Sequence, residues 1–577
     1  MFMSVKMRAT AVAVVWAAAA TASSAMAGTV NVVDLTVPGV DAGLAKGDFT
    51  SVDLVQAYLS RIASDNSFYN AFITLNPDAL AQAAAADAAY ATTPNKGPLY
   101  GVPVVVKDSM DLAGFPTTNG WSGFSSKTGG VDLTPTTDAP IVARLEAAGA
   151  IILGKTNLPA FAADGTRAAT SLIGPTKNAY GPQFAPGASS SGTATSVAAD
   201  FAVLGLAEET GGSIENPAGA QSLVGIKPTF GLVPTAGIAP LAGSTRDVAG
   251  PIAKTVYDAA VTLDVLAGYS PEDPKTAASN GHIPVNGYES YLSKTSLKGA
   301  RIGLFGSGFK DVTLTPETQK LYNTAIAKLQ AEGATVVTDP FAGTDFTKLI
   351  TNADQGFGSI VYDYNQYLKR LGPGSPVQSL ADYTKLTGVD IFSSLTSPLS
   401  AFKTFFPGIA DQLKTPDVQP DLSTFFTDRQ QLLDLYDKVL ADNHLDGLVF
   451  PQMFDSLPPL DGTAQYPNTT VSEINLLGTP GVTVSGGYYG NGSPFSLIFM
   501  GPQFDEGPLL GYAYDYEQAT MNRISPTVVP LPTAAAMGGW GLIVCSLGCA
   551  VTTRRRRAAY SGTVGSRYFD LSSQVEA

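Results

Sequence analysis

Cysteine is nearly missing from this chain of 577 residues: it occurs only as Cys545 and Cys549. Both lie in one apolar stretch near the C-terminal end, so the body of the chain has no pair with which to close an internal disulfide. Its stability must come from core burial. Histidine is as scarce. His282 and His444 each stand alone in polar surroundings, with no His or Cys at metal-ligand spacing, which argues against a metal centre and implies no cofactor. No Gly-x-Ser-x-Gly elbow occurs, so a Ser-His-Asp triad lacks its turn as well as a well-placed base. Charge is sparse, at 15% of residues, and one-sided. Between 28 and 533 there are 47 acidic against 28 basic residues, a net of −19, compared with −14 for the whole chain. Such a body favours solubility and argues against nucleic acid or anionic lipid as a ligand.

What is present begins with 45% apolar residues, enough for a substantial core. The first 27 residues read as a secretory signal: Lys6 and Arg8, then an apolar stretch from Ala9 to Ala22, then Ala25-Met-Ala27 as a small-residue cleavage site. At the other end, 534–551 carries no charge and is about long enough to cross a bilayer of roughly 30 Å. Arg554 to Arg557 follow, and the positive-inside tendency leaves the main body outside. With Val529-Pro-Leu-Pro532 before it, this tail resembles the envelope-sorting tails of the PEP-CTERM class. The resemblance implies a bacterial protein exported across the inner membrane, anchored by its C-terminal span and processed by an exosortase-type enzyme.

Between the ends, the pattern indicates an α/β architecture in one large domain. Thr50-Ser-Val-Asp53 forms a capping box for a helix whose inner face holds Leu54, Ala57, Tyr58 and Ile62. An Ala-rich helix is expected from Asn76 to Ala91, a strand from Pro98 to Val106, a helix over 139–148 and a strand over 150–153. Residues 253–267 read as an amphipathic helix and 270–287 as a surface linker. Strands are expected at 301–305, 448–451, 481–484 and 495–500, with a helix over 315–332. About 270–445 is read as a variable, mostly helical subdomain, with 340–445 an insertion that shapes the substrate site. The assignment is therefore 1–27 signal peptide, 28–524 main domain and 525–577 tag, span and tail.

Two Ser/Gly turns stand out, Gly187-Ala-Ser189-Ser-Ser-Gly192 and Thr210-Gly-Gly-Ser213-Ile. A serine nucleophile without histidine needs another base, and a lysine serves if burial disfavours its charged form. Lys107 follows the apolar Val104-Val-Val106; the plainer alternative is a surface lysine paired with Asp108. Gly211-Gly212 would let backbone N–H groups converge on one point, as an oxyanion requires.

Together these segments resemble the amidase signature family. The match runs from about Leu44 to Tyr516 and includes Leu99-Tyr-Gly-Val-Pro-Val-Val-Val-Lys-Asp108, Gly154-Lys-Thr-Asn157, Pro186-Gly-Ala-Ser-Ser-Ser-Gly192, Thr210-Gly-Gly-Ser-Ile214, Val224-Gly-Ile-Lys-Pro-Thr229 and Asp247-Val-Ala-Gly-Pro251. The resemblance implies a large mixed, twisted β-sheet with helices on both faces. It implies hydrolysis of a carboxamide C–N bond, with release of ammonia or an amine. Ser213 would be the nucleophile, Ser189 a bridging serine after a cis peptide bond, and Lys107 the base. The N–H groups of Thr210, Gly211, Gly212 and Ser213 would form the oxyanion hole. Export points to a small-molecule or peptide amide as substrate, rather than to the family's tRNA-dependent amidation.

The chain departs from the family pattern at Ala188, Ser191 and Thr193, at Ala207-Glu-Glu209, and at Glu215, which replaces a common arginine. These glutamates lead to an expected bias against acidic substrates. Two other readings compete. Ser400-Ala-Phe-Lys403, Ser64-Asp-Asn66 and Lys127-Thr-Gly129 match the penicillin-binding class, but in the wrong chain order. A non-catalytic, envelope-anchored binding protein that retains the fold is the alternative from a different class.

Overall fold

The computed structural model describes residues 30–93, 96–406 and 408–527. The expected signal 1–27, the Val529-Pro-Leu-Pro532 tag, the span 534–551, both cysteines and the arginine cluster lie outside these residues. Among the described residues no helix is long and apolar enough to cross a membrane.

Eleven strands build one mixed sheet: β1 (Phe72–Leu75), β2 (Pro103–Lys107), β3 (Ile151–Thr156), β4 (Leu204–Glu209), β5 (Val224–Lys227), β6 (Val248–Ala253), β7 (Arg301–Leu304), β8 (Thr335–Thr338), β9 (Gly447–Pro451), β10 (Gly481–Tyr488) and β11 (Pro494–Met500). Their order across the sheet is β1-β3-β2-β4-β6-β5-β10-β11-β9-β7-β8. β2 runs parallel to both β3 and β4, and β7 parallel to β8 and β9; the remaining pairs are antiparallel. β2, β3, β4 and β6 are buried at every position. Successive residues of a strand face opposite sides, so complete burial means that both faces of the sheet are covered. The helix Ser191–Ala198 packs on β2, β3 and β4, Val256–Leu266 on β5 and β6, and Glu506–Thr520 on β10 and β11.

Local sequence signals set many of the boundaries. The helix Ser51–Tyr69 opens with the expected capping box: Thr50 Oγ1 accepts from Asp53 N–H at 3.0 Å, and the Asp53 carboxylate accepts from Thr50 N–H at 3.0 Å. The Ala-rich helix runs Ala79–Tyr90. The stretch expected to be one helix over 253–267 is instead the end of β6 followed by Val256–Leu266. That helix starts where Thr255 Oγ1 accepts from Asp258 N–H, and it is buried around most of its circumference. β5 and β6 had no clear signal, because Gly225, Gly250 and Pro251 interrupt their alternation.

Within 270–445, β7 and β8 join the far edge of the main sheet. The helices Pro316–Ala331, Phe346–Asn352 and Ser423–Asp442 pack into the main core, whereas 360–409 forms a second apolar core, in which Ile360, Tyr364, Leu368, Phe392 and Phe402 pack with Trp121, Phe124 and Phe161.

Lys155 on β3 pairs with Asp108 at 2.9 Å, both fully buried, and also donates to Pro116 O and Thr117 Oγ1. Burial pushes the Asp108 carboxyl up, opposed by Lys155 and Thr118. Removing the cation would strand this carboxyl, so Lys155→Met is expected to cost about 3–5 kcal/mol, seen as a lower urea midpoint. A loss below ~1 kcal/mol would show that the pair is dispensable. Burial also raises Asp111 and Asp258 to about 6 and Glu517 to about 7. Each takes up a proton on folding between its unfolded value near 4 and its folded value. That contribution is complete below the unfolded value and is lost as pH rises through 6 to 7. The thermal midpoint should therefore rise by about a few degrees from pH 8 to pH 5, as calorimetry can measure.

Candidate active site

β2 and β4 lie side by side in parallel, with Val104, Val105 and Val106 opposite Leu204, Gly205 and Leu206. Their carboxyl ends therefore finish together, the usual place for a site in an α/β sheet. This brings Lys107 against Glu208. The Lys107 side chain is fully buried, and its Nζ donates to Ser189 Oγ at 2.7 Å, Glu208 O at 3.0 Å and Glu208 Oε2 at 2.7 Å. Three donated bonds use every proton of an ammonium. Pairing of a surface Lys107 with Asp108 is ruled out, since Lys107 is buried and Asp108 turns to Lys155.

Ser189 lies in the loop that enters the helix Ser191–Ala198, and the Ala188–Ser189 peptide bond is cis. Gly187 precedes it with φ +69°, and a Cβ there would lie 2.4 Å from Asn216 O. Only glycine fits. Ser190 N–H donates to Ser213 O at 3.3 Å, which ties the two Ser/Gly turns together. In the second turn Gly212 has φ +93°, and a Cβ would meet Asn216 Nδ2 at 2.5 Å. The N–H groups of Gly211, Gly212 and Ser213 donate to no acceptor among the described residues. The next two, Ile214 and Glu215, are capped by Glu209 Oε2 at 2.8 and 3.1 Å. The free donors are thus confined to the turn itself, next to Ser213. Ser213 is 5% exposed and lines a cavity of about 150 Å³. Its hydroxyl makes no hydrogen bond among the described residues, Ser189 included. The structure joins Lys107 to Ser189 directly, and it is the Ser190 N–H to Ser213 O bond that holds the Ser213 turn against the Ser189 loop.

The three glutamates are all accounted for. Glu208 faces Lys107, and its Oε1 lies 3.1 Å from Thr210 Oγ1; the same hydroxyl lies 2.6 Å from Asp247 Oδ1, so its one proton is shared between the two carboxylates. Burial and the Glu208 charge push Asp247 up to about 7. Glu209 caps the helix Glu215–Ala220 and accepts from Asn475 Nδ2 at 2.9 Å. Burial, reinforced by Glu209 and opposed by Lys227, raises the Glu215 carboxyl well above the usual range. None of the three lines the cavity. The expected bias against acidic substrates therefore loses its basis, because the charged lining residues are Asp164, Arg246 and Lys310.

Phe402, Phe405 and Phe406, from the 340–445 segment, also line the cavity, as do Phe357, Leu241 and Val471. Sequence reasoning had singled out none of these, nor Arg246 or Lys310. The one available cue for Arg246 was its position next to Asp247. The penicillin-binding motifs do not assemble: Ser64 is exposed on the helix Ser51–Tyr69, Lys127 lies in a separate 3₁₀ turn, and Lys403 pairs with Asp390 at 3.3 Å. Among the described residues no group of His, Cys, Asp and Glu is placed to hold a metal ion.

The Amidase family model matches residues 53–510. An Arabidopsis thaliana protein named probable amidase is 30% identical over 530 residues, covering 87% of this chain and 93% of that protein. A glutamyl-tRNA(Gln) amidotransferase chain of Chromohalobacter salexigens is 32% identical, covering 84% of this chain and 97% of its own length. Among solved structures, the native peptide amidase of Stenotrophomonas maltophilia superposes with a TM-score of 0.68 at 32% identity, covering 85% of this chain and 98% of that one. Its large mixed sheet flanked by helices is the fold described above. Fold, motif order and these similarities agree: the chain belongs to the amidase signature family, hydrolases that act on carbon–nitrogen amide bonds.

Proposed function

We propose that the chain is an exported amidase that hydrolyses a carboxamide C–N bond of a small-molecule or peptide amide through a serine acyl-enzyme. The observation that carries this reading is the 2.7 Å bond from Lys107 Nζ to Ser189 Oγ, with Ser213 at the cavity wall beside three unpaired N–H groups. In this reading Lys107, once neutral, accepts the Ser189 proton while Ser189 accepts that of Ser213. A rotation about the Ser213 Cα–Cβ bond closes the last gap, a tightening that apo sites commonly need. The attacking Ser213 Oγ forms a tetrahedral centre whose oxyanion meets the N–H groups of Thr210, Gly211, Gly212 and Ser213. Lys107 then returns a proton through Ser189 to the leaving ammonia or amine, and water releases the acid.

The main domain is proposed to span 28–524, delivered outside the inner membrane by the signal 1–27. The 534–551 span would hold it there, and an exosortase-type enzyme would process the tail. Proteolysis of intact spheroplasts tests this placement: loss of the 28–524 domain supports it, and protection overturns it.

For the chemistry, ammonia or amine release by residues 28–533 is the assay. Ser213→Ala is expected to lower kcat by at least about 10³-fold and to abolish labelling by a fluorophosphonate probe. Persistent labelling in that variant would reassign the nucleophile. Glu208 gives a second test. Its carboxylate accepts from Lys107 Nζ at 2.7 Å and so helps to aim that nitrogen at Ser189. Glu208→Ala is expected to lower kcat by about tenfold or more with KM little changed. An unchanged kcat would separate Glu208 from the positioning of Lys107.

A further inference from the structure

Arg246 is a buried cation in the wall of the cavity that holds Ser213. Only 5% of it is exposed, and no carboxylate lies within ion-pair distance of it among the described residues. Its Nε donates to Thr210 O at 3.0 Å and its Nη1 to Gln355 O at 3.0 Å, while the guanidinium lies 5.1 Å from the centre of the Phe357 ring. These contacts fix the plane of the group. Among the described residues Nη2 has no hydrogen-bond partner, and the side chain lines the cavity. Nη2 lies beside Gly211: a Cβ on that glycine would come within 3.5 Å of it. The N–H of Gly211 is in turn one of the unpaired donors next to Ser213. Burial lowers Arg246 only to about 10, opposed by Asp247, Glu209 and Glu473, so it is charged at neutral pH.

The other cation of the cavity differs. Lys310 Nζ already has Glu473 Oε2 at 3.4 Å and Asn468 Oδ1 at 3.0 Å. Asp247, next to Arg246 in the chain, directs its carboxylate to Thr210 Oγ1 and to the N–H groups of Leu241 and Ala242. A desolvated cation that faces a cavity with a free donor lacks an anion, and a planar guanidinium suits a carboxylate.

We propose that Arg246 is a specificity-determining residue, whose free Nη2 binds a carboxylate on the acyl chain of the substrate a short distance from the scissile carbonyl. The inference rests on the amidase reading above and narrows it to primary amides that carry a carboxylate, such as the monoamide of a short dicarboxylic acid. The Phe357, Phe402, Phe405 and Phe406 side of the cavity would take apolar substituents of that chain.

The test compares succinamate with succinamide, its uncharged counterpart, on the wild-type enzyme and on Arg246→Gln and Lys310→Met. Wild type is expected to favour succinamate at least tenfold in kcat/KM, with most of the difference in KM. In Arg246→Gln the ratio should fall to within about twofold of one, whatever the absolute rates; in Lys310→Met it should persist. Because Arg246 also holds Thr210 O, a second measurement leaves Arg246 in place. Succinate should bind the Ser213→Ala enzyme at least tenfold more tightly than succinamide does, by calorimetry. Equal affinities for the two, or a preference lost with Lys310 rather than Arg246, overturn the inference. Turnover of succinamide with no preference for succinamate would overturn it while leaving the amidase reading intact. Carboxylate-selective binding without turnover of either amide would do the reverse.

Discussion

A lysine buried away from water must find its hydrogen-bond partners inside the protein, and Lys107 finds three: the Ser189 hydroxyl, the Glu208 carbonyl and the Glu208 carboxylate. The rest of the site depends on that contact. It exists because β2 and β4 are parallel neighbours whose carboxyl ends finish together, which puts Glu208 within reach of Lys107 Nζ. The Glu208 carbonyl is a fixed backbone acceptor, so Nζ is aimed at Ser189 whatever else the loop does. The Ser190 N–H to Ser213 O bond then carries the second turn to the same place.

The acidic side chains around this lysine form a graded set. Glu208 shares a bridging hydroxyl, that of Thr210, with Asp247, and the proximity of the two carboxylates helps to push Asp247 up to about 7. Glu209 spends its charge on the N–H groups of Ile214 and Glu215, where a helix start favours an anion. Burial and the Glu209 charge push the Glu215 carboxyl well above the usual range. The negative charge that looked hostile to catalysis in the linear chain is therefore absorbed by the scaffold. The cavity face instead presents Arg246, Lys310, a single carboxylate at Asp164 and several phenylalanines.

Much of the scaffold was legible beforehand. The capping box at Thr50, the Ala-rich helix, and the strands ending at Lys107 and Pro451 follow from short-range patterns whose physics is local. β5 and β6 were not legible, since each is four to six residues long, broken by glycine or proline, and held by neighbours distant in sequence. The cavity lining was hidden for the same reason. Arg246, Lys310 and Phe402 to Phe406 come from three separate parts of the chain, and no spacing links them to Ser213.

The sequence alone determined the chemistry available: a lysine after an apolar strand, two serines in glycine-rich turns, no usable histidine and no cysteine outside the C-terminal stretch. Those are properties of residue type and local pattern. Only the tertiary structure decided which carboxylate meets Lys107, that Asp108 belongs to Lys155, and which cations face the cavity. Burial and charge pairing act between atoms close in space, and the parallel β2–β4 register set those distances.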